Sequence, residues 1–258
     1  MSDIEILSGD EAAAFAEVWY DIASDDHFWV RWRTAALMKA LADAGLDASA
    51  PLTGLDIGCG HGAMRRALDA NTRWTVDGCD LNRTALEMSA TCRGRTLFYN
   101  IHDRRPELAG RYDVVLLLDV IEHIADTTAF LESAAFHLKP GGHVIVNVPA
   151  LEALTSRYDT VVGHLRRYDK PMLRHALGDA KLDVRLMRYW GLSLVPIALL
   201  RKLYVRRIES TDAVTTAGFQ PPVKMINGVL AAMGAVETTL LKSPPVGTSL
   251  LAIARKTA

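Results

Sequence analysis

Apolar positions along the chain follow two spacings that take turns. Short apolar runs at about Gly54–Ile57, Thr75–Cys79, Thr96–Tyr99, Val114–Leu118, Val144–Val148 and Val184–Trp190 read as buried strands, and Gly247–Ala254 reads as a last one. Between them the apolar residues recur at helical spacing. This holds over Glu11–Tyr20, over Arg31–Ala44 up to Gly45, in stretches opening near Gly62, Asn82 and Asp126, and over Lys170–Ala180. Asn82 and Asp126 are residue types whose side chains cap a helix N-terminus. Strands alternating with helices predict an α/β fold: a doubly wound, mostly parallel sheet with helices on both faces. Residues 191–246 are too long for a turn. They carry two helical segments around the polar stretch Glu209–Pro222 and end at Pro244-Pro245, so they read as a helical insertion before the final strand.

The first strand runs into Leu55-Asp56-Ile57-Gly58-Cys59-Gly60-His61-Gly62, and the next ends on Gly78-Cys79-Asp80. Glycines at a strand-to-helix turn permit positive φ and let a ligand approach the backbone closely. An acid at the end of the following strand is placed to accept hydrogen bonds from a ribose. Two cofactor classes fit this pattern. Gly58, Gly60 and Ala63 spell the G-x-G-x-x-A of a dinucleotide fold, implying an NAD(P)-dependent oxidoreductase. Gly58, Gly60 and Gly62 spell G-x-G-x-G behind Asp56, and that acid suits a cofactor bearing an amino group and a sulfonium better than a pyrophosphate.

Four motifs in order carry a resemblance. They are the glycine turn, Arg111-Tyr112-Asp113-Val114-Val115-Leu116-Leu117-Leu118-Asp119-Val120, the run Leu138-Lys139-Pro140-Gly141-Gly142-His143-Val144-Ile145-Val146, and the closing Gly247-Thr248-Ser249-Leu250-Leu251-Ala252-Ile253-Ala254. The chain resembles the class I S-adenosylmethionine-dependent methyltransferases over roughly residues 27 to 190 and again at the C-terminus. The resemblance implies a Rossmann-like seven-stranded sheet whose last strand is antiparallel. Residues 1–258 would form one methyltransferase domain with an N-terminal helical cap over 1–50 and the insertion over 191–246. It also implies S-adenosyl-L-methionine as cofactor, with Asp56, Gly58, Gly60 and Gly62 around its methionine part, Asp80 on the ribose, Asp103 on the adenine amino group, and Asp119 as a further cofactor-binding residue.

Methyl transfer from a sulfonium is an in-line displacement, so the protein must align the acceptor and, for a hydroxyl, remove its proton. Two clusters are candidates. In Asp119-Val120-Ile121-Glu122-His123, offsets of three and four would gather the ionisable side chains on one turn. This acid-x-x-Glu-His pattern is similar to that of the ubiquinone-pathway O-methyltransferases, which implies Asp119, Glu122 and His123 as ligands of a divalent metal such as Mg²⁺. The bland alternative is that Glu122 and His123 shape the cofactor pocket. The second cluster is Gly163-His164-Leu165-Arg166-Arg167-Tyr168. It resembles a signature of a bacterial methyltransferase subgroup that also carries counterparts of His27-Phe28-Trp29, Val148-Pro149-Ala150 and Ser156-Arg157-Tyr158-Asp159. His164 or His123 is then the candidate general base, because imidazole exchanges protons near neutrality. Arg166, Arg167 and Tyr168 are candidates for gripping the acceptor. The competing explanation is a loop held by its own ion pairs to Asp159 and Asp169.

Composition narrows the partners. Of 258 residues half are apolar, and the net charge of −1 leaves no global nucleic-acid footprint. Three cysteines without a C-x-x-C pair argue against a disulfide framework. The acidic Met1–Asp10 lacks a signal-peptide pattern, so a cytoplasmic protein is the expectation. Charge is nevertheless uneven: Gly163–Ile208 holds eleven Lys and Arg against three Asp, around the apolar run Trp190–Leu200. That pattern suits peripheral membrane contact and a lipid-like acceptor, or a buried helix in a homodimer. The function expected is methylation, at oxygen, of a small or lipid-like molecule. A catalytically silent cofactor-binding or scaffold protein is the reading from another class.

Overall fold

Alternate residues of Tyr112–Leu118 (β5) point to opposite faces, and every one from Val114 to Leu117 is fully buried. A strand that is apolar on both sides needs helices on both sides. In the computed structural model, which describes residues 4–9, 26–89, 92–208, 210, 214 and 223–257, that is the arrangement. On one face Val115 and Leu117 meet Leu131 of α4 (Thr127–Phe136) and Leu173 and Leu177 of α6 (Lys170–Asp179). On the other, Val114 and Leu116 meet Trp32, Leu37 and Leu41 of α1 (Phe28–Asp43) and Leu68 of α2 (Ala63–Asn71). Each fully buried side chain of this size contributes about 1.5–3 kcal/mol.

The remaining strands are β1 (Ile4–Ile6), β2 (Thr53–Ile57), β3 (Thr75–Asp80), β4 (Thr96–Phe98), β6 (Leu138–Pro149), β7 (Leu182–Trp190) and β8 (Ser249–Lys256). Their order in the sheet is β1-β4-β3-β2-β5-β6-β8-β7. All pairings are parallel except those of β8, which lies antiparallel between β6 and β7. The antiparallel last strand therefore agrees with expectation, whereas the sheet has eight strands where seven were expected. The extra one is β1, an edge strand in which Ile4 pairs with Thr96 and Ile6 with Phe98. Three half-exposed residues are too few to show a period. The Leu138–Gly142 segment also differs, since it continues β6. A register shift between Tyr112 and Val114 and the positive φ of Gly141 accommodate it as a bulge.

Capping follows the side-chain chemistry. Asn82 accepts from the Ala85 amide at the start of α3 (Arg83–Met88), and Asp126 accepts from the Ala129 amide at the start of α4. The helical segment read over Glu11–Tyr20 lies outside the described residues, as does nearly all of Glu209–Pro222. Around that stretch stand α7 (Val195–Val205) and α8 (Lys224–Leu240). The chain enters α7 through a turn at Gly191–Ser193. The buried Glu237 of α8 clamps it, accepting the amides of Gly191, Leu192 and Ser193 at 2.8, 3.0 and 2.8 Å. α8 lies against α1, where a Cβ on Gly234 would stand 2.3 Å from the Trp32 ring.

Strand order reverses between β2 and β5, which puts a crevice at their carboxyl ends, where ligands bind in open α/β sheets.

Candidate active site

A cavity of about 1110 Å³ opens at that crevice. The glycine turn forms one wall because its backbone is left-handed at Gly58, Gly60 and Gly62, with φ of 71°, 52° and 79°. At Gly58 a Cβ would also stand 2.8 Å from Val120 Cγ2, so glycine is required twice over. The amides of Gly58 and Cys59 donate to the carbonyl of Cys79, tying the turn to β3. Asp80 completes the tie: Oδ2 accepts from the Gly60 amide and Oδ1 from the Asn82 amide, both at 2.8 Å. Burial raises the Asp80 carboxyl, and these amides pull it back.

Asp56, Gly58, Gly60 and Asp80 line the cavity together, as the sequence reading requires of a cofactor wall. Asp56 is buried, and desolvation raises it to about 7 against the pull of Arg65 and Arg33. Gly62 is not in the wall. It sits at the start of α2, and His61 and Ala63 face the cavity instead. Asp103 is a correction: it is exposed, takes a 2.5 Å hydrogen bond from Ser8, and does not line the cavity. Tyr99, Asn100 and Ile101 do. Cys59 and Cys79 are buried with thiols raised well above their usual value, which leaves them as packing residues.

The second correction concerns Asp119, Glu122 and His123. Asp119 has φ 63° and stands before the single 3-10 turn Ile121–His123, so the three do not share a helical turn. Its oxygens are taken separately, Oδ2 by Arg33 Nη1 at 2.7 Å and Oδ1 by Asn147 Nδ2 at 2.8 Å. The group the structure does bring together is Glu122, His123 and His164, each with one potential ligand atom within 4.8 Å of the others. Glu122 is fully buried, and both carboxylate oxygens are unbonded. Burial, reinforced by the charge of Asp119, raises its carboxyl well above the usual range. His123 Nδ1 lies 3.1 Å from the Gly163 carbonyl, and burial with the adjacent His164 ring lowers it to about 4. Two imidazoles and one carboxylate do not fit Mg²⁺, which prefers oxygen donors; such a set suits a first-row transition ion.

His164 is held by Asp159, whose Oδ1 is 3.0 Å from Nδ1, while its Nε2 lies 3.9 Å from Glu122 Oε1. Asp159 is buried within a capping box at the start of α5 (Arg157–Val161). Burial raises its carboxyl, but the hydrogen bond to His164 and the Arg167 guanidinium, 2.7 Å away, hold it well below the carboxylate range. The 163–168 loop is pinned from both ends. The Leu165 amide donates to the Glu122 carbonyl and the Tyr168 amide to that of Pro149.

The trio expected to grip the acceptor divides. Arg167 lines the cavity but is committed to Asp159 and the Ala150 carbonyl. Arg166 bonds Thr127 and Ala125 outside the cavity, and the buried Tyr168 donates to the Ile121 carbonyl. The last two hold the loop by hydrogen bonds, while the pairing of Arg167 and His164 with Asp159 is the one the ion-pair alternative expected. Asp169 instead caps α6. Residues unmarked in the sequence reading complete the wall. Arg33 stacks over Trp29, with its guanidinium carbon 4.4 Å from the ring centroid. Behind the wall, Asn147 Oδ1 takes the Trp190 indole N–H at 2.8 Å. Leu194, Ile197, Ala198, Arg201 and Tyr204 cover the cavity from the insertion.

A sequence model described as a methyltransferase domain matches residues 29–190. The chain belongs to the S-adenosylmethionine-dependent methyltransferase family. Among relatives, the ubiquinone biosynthesis O-methyltransferase of Vibrio parahaemolyticus serotype O3:K6 is 38% identical over 96 residues, covering 35% of this chain and 40% of that protein. The enzyme of that name from Thiobacillus denitrificans is 28% identical over 153 residues, 56% of this chain and 63% of that one. The match thus spans about two fifths of the length of the Vibrio relative. Solved structures agree in fold. A complex of the Haloferax volcanii Trm112 methyltransferase activator with a methyltransferase gives a TM-score of 0.63 at 18% identity, covering 96% of this chain and 100% of that one. Phosphoethanolamine N-methyltransferase 2 of Haemonchus contortus, bound to S-adenosyl-L-methionine, gives 0.56 at 16% identity over 86% of this chain and 52% of that one. These comparisons lend the dinucleotide-enzyme reading no support.

Proposed function

We propose that the chain transfers the methyl group of S-adenosylmethionine to a hydroxyl of a small, largely apolar acceptor, with His164 as general base. The observation that carries this is His164, held from behind by the buried Asp159, facing the cavity that the glycine turn also lines. An ionised Asp159 requires the proton on Nδ1, which leaves the Nε2 lone pair free to accept the hydroxyl proton. The acceptor oxygen then attacks the sulfonium methyl in line. The C–S bond electrons go to sulfur, and the products are S-adenosylhomocysteine, the methyl ether and a proton on His164. Asp56, Gly58, Gly60 and Asp80 hold the cofactor in this reading. His123 positions the loop through Gly163, and a neutral Glu122 adds no second negative charge beside the base. The relatives' name, O-methyltransferase, agrees with attack by oxygen.

The chain works here as one domain over 1–258, in which α1 and the helices α7 and α8 of the 191–246 insertion stand over the acceptor end, while Ile4–Ile6, expected within a helical cap over 1–50, is a strand of the sheet. A second reading rests on the unbonded oxygens of Glu122, which with the imidazoles of His123 and His164 would accept a divalent transition ion. Both are tested by titrating the protein with S-adenosylhomocysteine, S-adenosylmethionine and NAD, and then assaying phenolic acceptors with and without chelator. Binding of the adenosyl pair alone, with chelator-insensitive turnover that His164→Ala lowers at least about 100-fold, is expected. Preference for NAD overturns the first reading. Full turnover by His164→Ala removes the base, and loss of turnover with chelator selects the metal.

A further inference from the structure

α7 is cavity wall and molecular surface at once. Ile197, Leu200 and Tyr204 line the cavity yet are 46%, 68% and 62% exposed, so the cavity mouth has an apolar lip. Beside it Leu199 and Leu203 face solvent without lining the cavity. α8 opens in the same manner with the exposed Val223, Met225 and Val229, while its Leu230 reaches the same cavity. The charge around this surface is one-sided. Arg206, Arg207 and Lys224 are exposed. The acid of α8, Glu237, is buried on backbone amides. From Val195 to Lys224 the sequence holds five Lys and Arg against two acids, Glu209 and Asp212.

We propose that α7, with the first turns of α8, docks this protein on an anionic lipid bilayer, so that the apolar lip of the cavity faces the acyl region. α7 has eleven residues, and no described helix is long and apolar enough to cross a membrane, so the contact lies in the interfacial plane. The cations decide between lipid and a second copy of the chain. A two-fold contact would set Arg206, Arg207 and Lys224 against their own copies, whereas acidic headgroups complement them. An amphipathic acceptor dissolved in the bilayer would then enter over Leu200 and Tyr204 with its hydroxyl leading toward His164. That last step rests on the methyltransferase reading; the docking surface does not.

The test is flotation of the full chain with vesicles of phosphatidylcholine alone and of phosphatidylcholine with phosphatidylglycerol, with calorimetric titration of S-adenosylhomocysteine in parallel. The expected result is binding to the anionic vesicles only, lost at high salt. Leu203→Glu or the pair Arg206→Ala and Arg207→Ala should weaken it at least about tenfold, with nucleoside affinity unchanged. Equal binding by the variants and the parent, or no binding to either vesicle, overturns the proposal. So does a dimer in sedimentation that Leu203→Glu dissociates. Failure to bind S-adenosylhomocysteine while floating with anionic vesicles would instead remove the methyltransferase reading and leave the docking surface in place.

Discussion

Asp56 and Glu122 are two carboxyls that burial holds toward the neutral form, and each makes the protein respond to pH in its own way. In the proposed site Asp56, raised to about 7, would have to ionise to pair with the ammonium of the cofactor. S-adenosylhomocysteine affinity should therefore fall as pH is lowered from about 7.5 to about 5.5, approaching tenfold per unit, and Asp56→Asn should abolish that slope. A flat profile in the parent protein would separate Asp56 from the cofactor. Glu122 reports through stability. Its folded form keeps a proton that the unfolded chain gives up above about pH 4.3, so its burial costs increasingly more as pH rises from there toward the folded value. Glu122→Gln mimics the neutral acid and should raise the urea midpoint at about pH 8 while changing little at about pH 5. A gain equal at both pH values would show that Glu122 is not the titrating group. These environments are invisible in the sequence, where Asp56, Asp103 and Asp119 are the same residue type. What separates the last two is whether Ser8 or Arg33 stands opposite, and those partners are 95 and 86 positions away; only the pairing of Asp159, close by in the chain, could be read.

Among elements, the turn into the insertion is held by one side chain, Glu237. Glu237→Ala would strand the buried amides of Gly191 and Leu192 and release the Ser193 hydroxyl that it also binds. A loss of about 2–5 kcal/mol in denaturant unfolding is expected, with earlier proteolysis around residues 191–208. A change below about 0.5 kcal/mol would mean that the turn holds itself. Elements with a strong period or a capping residue were legible: β2, β3 and β5 and the starts of α3 and α4 all stand close to their predicted places, and β8 is antiparallel as the resemblance implied. The glycine turn and Asp80 were legible too, because the positive φ and the strand-end acid leave residue types that substitute poorly. The cluster at Asp119 was not. A helical turn was the natural reading of Asp-x-x-Glu-His, but a left-handed residue breaks it and delivers His164 from 41 residues further on in place of Asp119.

At the scale of the molecule, one chain of contacts joins the sheet ends to the helices above them: Trp190 to Asn147, Asn147 to Asp119, Asp119 to Arg33, and Arg33 over Trp29. The cavity floor and its covering helices therefore share side chains. The order of the sheet has a further consequence during synthesis on the ribosome. β6 and β7 are joined only through β8, so β7 has no sheet neighbour until residues 249–256 have left the exit tunnel. By then β6 has been waiting with one edge open for about a hundred residues of translation. An exposed, apolar strand edge is what holdase chaperones recognise and what nascent chains aggregate through. The insertion between β7 and β8 thus sets how long that edge stays open during synthesis.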